Sequence, residues 1–156
     1  MIKINIYCVG SMKEGMFSDA YREYIKRLSR YCSLSITEIK EEKIQNMNPE
    51  QAILNESNNI IKKIKEVDYI ILLDIKGEEY SSEDFSKMIK EKIDDGVSPI
   101  DFIIGGTLGV SQELKNLANL KVSFGKITLP HQLARIVLLE QVYRSFKIIK
   151  NEPYHH

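Results

Sequence analysis

The residues whose types and spacing could do chemistry are few. Gly105-Gly106-Thr107-Leu108-Gly109 follows a short apolar run and precedes a serine-led helical segment, a position where absent side chains and free backbone N–H groups let a ligand approach the main chain. The same glycines would also make a tight turn, and both readings stand. The loop matches neither G-x-G-x-x-G nor G-x-x-x-x-G-K-[ST], and residues 120–130 hold no acid to meet a ribose, so a dinucleotide or P-loop site is not expected. Cys8 and Cys32 fall at apolar-phase positions and read as buried thiols rather than a disulfide. Neither they nor His131, His155 and His156 have metal-ligand spacing, so no metal site is expected. There is no G-x-S-x-G elbow for a serine hydrolase. His131 reads as a structural residue at a helix start, and spacing alone gives the two terminal histidines no more than the role of a frayed tail.

Charge adds a direction. Lysine plus arginine balance aspartate plus glutamate at 22 each, yet residues 1–120 carry 16 basic and 20 acidic side chains, while 121–156 carry six basic and two acidic. A basic C-terminal end can attract phosphate through counterion release. A net charge of zero predicts weak binding to naked RNA, so an RNA partner would have to be recognised by shape.

The elements that must position these residues alternate. Lys3 to Val9 reads as a strand; Phe17, Ala20, Tyr21, Tyr24, Leu28 and Tyr31 repeat at helical spacing; Ser33 to Ile39 alternates as a second strand. Asn48-Pro49-Glu50-Gln51 starts a helix whose expected inner face is Ile53, Ile60, Ile61 and Ile64. Asp68 to Ile75 is the apolar run of a parallel strand covered on both faces, ended by a turn at Lys76-Gly77. Ser81 caps a helix carrying Phe85, Met88, Ile89 and Ile93; Ile100 to Ile104 is a short buried strand; Ser111 caps a helix over Gln112 to Asn119; Leu120 to Phe124 is the last strand. Pro130 to Lys150 reads as one long helix, too apolar for a single stripe, so its second face calls for another covering surface, most simply a second copy in a twofold dimer.

This order predicts an α/β fold, a mostly parallel sheet with helices on both faces, in a single domain spanning residues 1–156. Ligands in such folds sit at the carboxyl ends of strands. Three exits qualify: Leu73 to Gly77, Gly105 to Gly109, and Phe124 to Pro130. No apolar run approaches membrane length and the amino terminus alternates like a strand rather than a signal peptide, so a soluble, cytoplasmic protein is expected.

Longer strings then carry a family resemblance. Val9-Gly10-x-x-Lys13-Glu14, Ile104-Gly105-Gly106-x-x-Gly109, Leu129-Pro130-His131-Gln132-x-x-Arg135, and Glu140-Gln141-Val142-Tyr143-Arg144-x-Phe146-Lys147-Ile148 followed by Tyr154-His155 resemble the ribosomal RNA large-subunit methyltransferase H (RlmH, YbeA-like) family across essentially the whole chain. Ser11, where the motif often has lysine, and Gly125, where a small polar residue is expected, depart from it. The resemblance implies a SPOUT-class fold with a C-terminal trefoil knot, which the general rule of unknotted chains would not have suggested. It implies a metal-independent homodimer that uses S-adenosyl-L-methionine to methylate N3 of a pseudouridine in helix 69 of 23S ribosomal RNA, acting on the assembled ribosome rather than on DNA or a membrane. By the same resemblance, Leu73, Gly105 and the run Phe124, Gly125, Lys126, Ile127, Thr128 and Leu129 bind the cofactor. From the family-like Tyr-His ending, the tail of one subunit is expected to reach the cofactor of the other, with His155 near the target base, Tyr154 packing against it and Arg144 holding phosphate or a base oxygen. Two other functions compete with it: a non-catalytic ribosome-associated module using the basic end, and a nucleotide-binding α/β enzyme using the glycine loop.

Overall fold

A computed structural model describes residues 1–154. Five strands form one sheet: β1 (Lys3–Val9), β2 (Ser33–Ile39), β3 (Tyr69–Glu79), β4 (Ile100–Ile104) and β5 (Leu120–Ser123). Their order is β2-β1-β4-β3-β5 and every pairing is parallel. The helices are α1 (Ser18–Leu28), α2 (Pro49–Ile61), α3 (Ser82–Asp94), α4 (Gln112–Leu117) and α5 (His131–Ile149).

Strand periodicity divides the core into two. Ile4, Ile6 and Cys8 of β1 point to one face, where Leu28 of α1, Phe85 and Ile89 of α3, and Leu138, Leu139, Val142 and Phe146 of α5 cover them. Tyr7 and Val9 point to the other, under Ile60 of α2 and Leu114 of α4. This two-sided cover explains why β4 is buried along its whole length and why its sequence is an apolar run rather than an alternation.

The helix starts follow the sequence. Asn48, Ser81 and Ser111 each accept a backbone N–H from three residues on, at 2.7, 3.0 and 3.2 Å. Three expectations need correction. On α2, Ile60 is buried in the core and Ile61 and Ile64 pack against the same cluster as expected, but Ala52, Glu56 and Ser57 are buried as well, Ile53 is only half-buried, and the helix ends before Ile64. The chain does not turn at Lys76-Gly77: both Leu73 and Glu78 pair with Val122, so residues 74–77 loop out as a bulge within one long strand. Gly77 is required there because a Cβ would stand 2.6 Å from the backbone carbonyl carbon of Lys121. The ends of α4, β5 and α5 fall one or two residues inside the expected ones, at Leu117, Ser123, and His131 and Ile149. The expectation for α5 holds: it buries Leu138, Leu139, Val142 and Phe146 inward, while Leu133, Ile136 and Val137 stay half-buried and Ile148 is exposed, so the surplus apolar surface read from the sequence is real in one chain.

Candidate active site

The bulge within β3 and the carboxyl ends of β4 and β5 open into one cleft of about 410 Å³. Three segments wall it. The β3 bulge supplies Leu73, Asp74, Ile75 and Lys76; the loop after β4 supplies Gly105 to Val110; the loop after β5 supplies Phe124, Gly125, Ile127, Thr128 and Leu129. Lys115 and Ala134 complete it. Of the eight cofactor positions expected, Leu73, Gly105, Phe124, Gly125, Ile127, Thr128 and Leu129 therefore line one space, and Lys126 does not. The exits of β4 and β5 converge because the parallel order sends strand C-terminal ends to the same edge of the sheet, and the β3 bulge, paired to Val122 on both sides, lies beside them.

Local chemistry holds each wall. Lys76 N donates to Asp74 Oδ1 at 3.0 Å, and Ser123 Oγ donates to the Ile75 carbonyl at 3.0 Å, pinning the bulge to β5. Gly109, with φ +93°, closes its loop by donating its N–H to the Gly106 carbonyl at 3.0 Å. A Cβ on Gly105 would stand 2.6 Å from Val110 Cγ1, and one on Gly106 2.8 Å from Glu56 Oε1. The glycines are thus both a turn and a thin wall, and the two readings of the motif are compatible.

Sequence reasoning missed the anchor behind this cleft. Arg135, fully buried, donates from Nη1 to Glu38 Oε2 at 2.7 Å and from Nη2 to the Gly10 carbonyl at 3.2 Å. It ties the start of α5, and with it the loop after β5, to the ends of β1 and β2. A signal existed: Arg135 stands on the same helical phase as Leu138, Leu139 and Val142, an arginine where the pattern demands an apolar residue. His131 packs its ring over Gly10, whose added Cβ would come within 2.7 Å of it, in keeping with a structural role. Burial pushes the Cys8 and Cys32 thiols up to about 11, so both are inert, unpaired thiols.

The residues expected to act at the base lie elsewhere. Arg144 and Tyr154 meet at the far end of α5, where Arg144 Nη2 donates to Glu140 Oε1 at 2.7 Å, the Tyr154 hydroxyl donates to the same oxygen at 2.7 Å, and the guanidinium lies 4.0 Å from the Tyr154 ring centre. Burial, and then the Glu140 carboxylate, push the Tyr154 hydroxyl's pKa up, so it stays a neutral donor. Ten residues separate Ala134 at the cleft from Arg144, about 15 Å along a helix. One chain therefore does not bring its own Arg144 and Tyr154 to its own cleft. His155 lies outside the described residues. Among the described residues no three His, Cys, Asp or Glu side chains converge as metal ligands, and no helix is long and apolar enough to cross a membrane.

Fold and cleft define an α/β protein with a cleft of small-ligand size at a topological switch point of a parallel sheet. A family model described as "Predicted SPOUT methyltransferase" matches residues 2–155. Proteins named ribosomal RNA large subunit methyltransferase H are similar over their whole length: 47% identity for that of Oenococcus oeni, 46% for that of Clostridium botulinum and 45% for that of Carboxydothermus hydrogenoformans, each covering 99% of both chains. The chain belongs to the SPOUT methyltransferase family, alongside these large-subunit methyltransferase H relatives.

Proposed function

We propose that this protein is an S-adenosyl-L-methionine-dependent methyltransferase that modifies N3 of a pseudouridine in helix 69 of 23S ribosomal RNA on the assembled ribosome. The observation that carries the reading is the convergence of Leu73, Gly105, Phe124, Gly125, Ile127, Thr128 and Leu129 on one cleft. Its volume of about 410 Å³ is in the range that encloses a cofactor-sized ligand. Leu73, Phe124, Ile127 and Leu129 offer apolar faces to an adenine. The thin glycine wall exposes backbone donors and acceptors to its polar edge.

Bound there, the sulfonium supplies an already electrophilic methyl group. The chain's own task is to align N3 with that methyl and to manage loss of the N3 proton as the N–C bond forms and the methyl–sulfur bond breaks, the sulfonium leaving as a neutral thioether. Arg144 holds a phosphate or a base oxygen, Tyr154 packs against the base, and His155 stands near N3, where a group titrating around neutrality can assist. N3 is a weak acid, so placing donors where negative charge develops matters as much as a dedicated base.

Because Arg144 and Tyr154 lie at the opposite end of α5 from the cleft of their own chain, the active unit is read as a cytoplasmic homodimer, the tail of one subunit serving the cofactor of the other. The half-exposed apolar residues of α5 supply the surface such a dimer would cover. A trefoil knot fits the path after β5. The chain leaves the sheet edge, runs past the ends of β3 and β4, and delivers His131 against Gly10 at the end of β1.

The test is transfer of labelled methyl from S-adenosyl-L-methionine to intact ribosomes lacking the modification, with separated subunits and protein-free RNA in parallel and the nucleotide identified by mass spectrometry. Label on a helix 69 pseudouridine from intact ribosomes alone is the expected result. Cofactor binding with no label on any RNA would keep the fold and discard the reaction.

A further inference from the structure

One acid stands where α2 should be apolar. Ala52, Glu56 and Ile60 recur every four residues and face the interior together, and Glu56 is only 5% exposed. No cation pairs with it among the described residues. Burial pushes its pKa up, the Glu42 N–H works against that, and the charges of Glu41 and Glu42 add to it. A carboxyl held in such a place is unfavourable unless its oxygens are used.

Both oxygens have a neighbour that matters. Oε2 accepts the Glu42 N–H at 2.8 Å, fastening α2 to the segment that leaves β2. Oε1 lies against the glycine wall of the cleft. A Cβ on Gly106 would stand 2.8 Å from it and 3.1 Å from Val9 Cγ1, so Gly106 is seated between the end of β1 and this carboxyl. The next residue of α2 holds the other end of the loop: Ser57 Oγ accepts the Ser111 N–H at 2.8 Å, both serines buried, and Ser111 Oγ in turn accepts the Leu114 N–H that starts α4. Between these two grips Thr107 Oγ1 donates to Glu41 Oε1 at 3.4 Å. Gly106 to Val110 line the cleft, and neither Glu56 nor Ser57 does, so the loop is gripped from outside the ligand space.

We propose that Glu56 is a positioning residue for the cofactor site, its reach from Glu42 to Gly106 holding the glycine loop in the ligand-ready shape. The inference rests on the reading of that cleft as an S-adenosyl-L-methionine site and deepens it. A loop fixed before binding does not have to be ordered by the ligand, so affinity depends on this residue and the transfer step does not. The property in use is length with an acceptor at the end; the charge is incidental.

The experiment titrates S-adenosyl-L-methionine calorimetrically into wild type, Glu56→Gln and Glu56→Asp, with melting temperature and methyl transfer to unmodified ribosomes measured on the same proteins. Glutamine keeps the reach and an acceptor oxygen without the charge; aspartate keeps the charge and loses the reach. The expected result is a Kd within about twofold of wild type for Glu56→Gln and raised roughly tenfold for Glu56→Asp, with kcat at saturating cofactor and KM for ribosomes within about twofold in both. Ile60→Val, a change in the core on the same face of α2, lowers the melting temperature and leaves Kd unchanged. Unchanged affinity in Glu56→Asp, or equal weakening by Ile60→Val, reduces Glu56 to ordinary packing and overturns the inference. Equal loss in Glu56→Gln makes charge the property in use and overturns it as well. Should Glu56→Asp fail to fold, Gly106→Ala presses a methyl onto Oε1 from the other side of the same contact and is expected to raise Kd roughly tenfold; unchanged affinity there overturns the inference. Absence of cofactor binding by the wild type itself overturns the reading of the cleft instead.

Discussion

Arg135 and Glu38, distant in sequence, form an ion pair of 2.7 Å in which the arginine has no solvent exposure and the glutamate is 41% exposed. Glu38 also accepts the Met12 N–H at 2.7 Å, and the guanidinium lies 5.5 Å from the Tyr21 ring centre. One carboxylate thus joins the end of β2, the loop after β1 and the start of α5. The loop that walls the cleft is held from behind by this knot of contacts.

Replacing Arg135 with methionine fills most of the volume but strands the Gly10 carbonyl and the inner edge of Glu38. Glu38 can partly rehydrate, so the expected loss is about 2–4 kcal/mol, the lower part of the range for breaking a buried pair and somewhat below it. Arg135→Lys should recover only part, because an ammonium cannot bridge both acceptors with the same planar geometry. Urea unfolding of the three proteins at neutral pH measures both differences.

Asp101 on β4 is fully buried, accepts from Asn5 Nδ2 at 2.8 Å, and has its pKa pushed up to about 7 by burial and then by its neighbour Asp68. A carboxyl whose folded value exceeds its unfolded one binds more protons when folded. Its contribution is therefore fully present at low pH and is lost as pH rises from about 4 through about 7. Asp101→Asn, which keeps the shape and removes the titration, should be more stable than wild type at pH 8 by roughly 1–3 kcal/mol and flatten the decline between pH 5 and 8. Equal urea midpoints for the two proteins at pH 8 would refute this.

Gly77→Ala should cost about 2–3 kcal/mol, in the range of overpacking and backbone-strain changes. The new methyl would meet the Lys121 carbonyl carbon and oxygen and the Val122 nitrogen at 2.6–2.7 Å, all backbone atoms that cannot move aside without parting β3 from β5. The same separation should weaken cofactor binding, since both strands wall the cleft; calorimetric titration and thermal melts report the two effects separately.

Gly105→Val acts differently. Its side chain would meet Val110 Cγ1 at 2.6 Å, which can yield by a side-chain shift, so folding should survive while the cleft fills. S-adenosyl-L-methionine affinity is expected to fall at least a hundredfold with a melting temperature within a few degrees of wild type. Retained affinity would remove Gly105 from the site.

Deletion of Tyr154 to His156 should abolish turnover on ribosomes while dimer mass and cofactor affinity persist. Removing Tyr154 also frees Glu140 Oε1 to Arg144 alone, so an Arg144→Lys variant in the full chain is the companion measurement, expected to lower kcat far more than cofactor affinity. Full turnover by the truncated chain would end the assignment of the tail.

Much of this protein was decided by local sequence. Strand and helix periodicities placed β1, β2, β4 and all five helices close to where they stand, and Asn48, Ser81 and Ser111 announced three of the helix starts, because capping and periodic burial depend on residues only a few positions apart. The parallel, two-sided sheet followed from the same alternation, and it brought together the three segments read as strand exits, although the one at Leu73 to Gly77 is a bulge within β3. Tertiary structure alone decided the rest. Gly77 signals a turn by its type, but its role is to admit the backbone of Lys121, a neighbour 44 residues away in sequence. Arg135 is one of six basic residues in its segment until folding sets it beside Glu38 and Gly10. The distance between the cleft and the pair Arg144 and Tyr154 exists because α5 is one unbroken helix and its tail folds back onto Glu140. Contacts of this kind join surfaces that no local rule relates, and their energies depend on burial and dielectric that only the assembled fold creates.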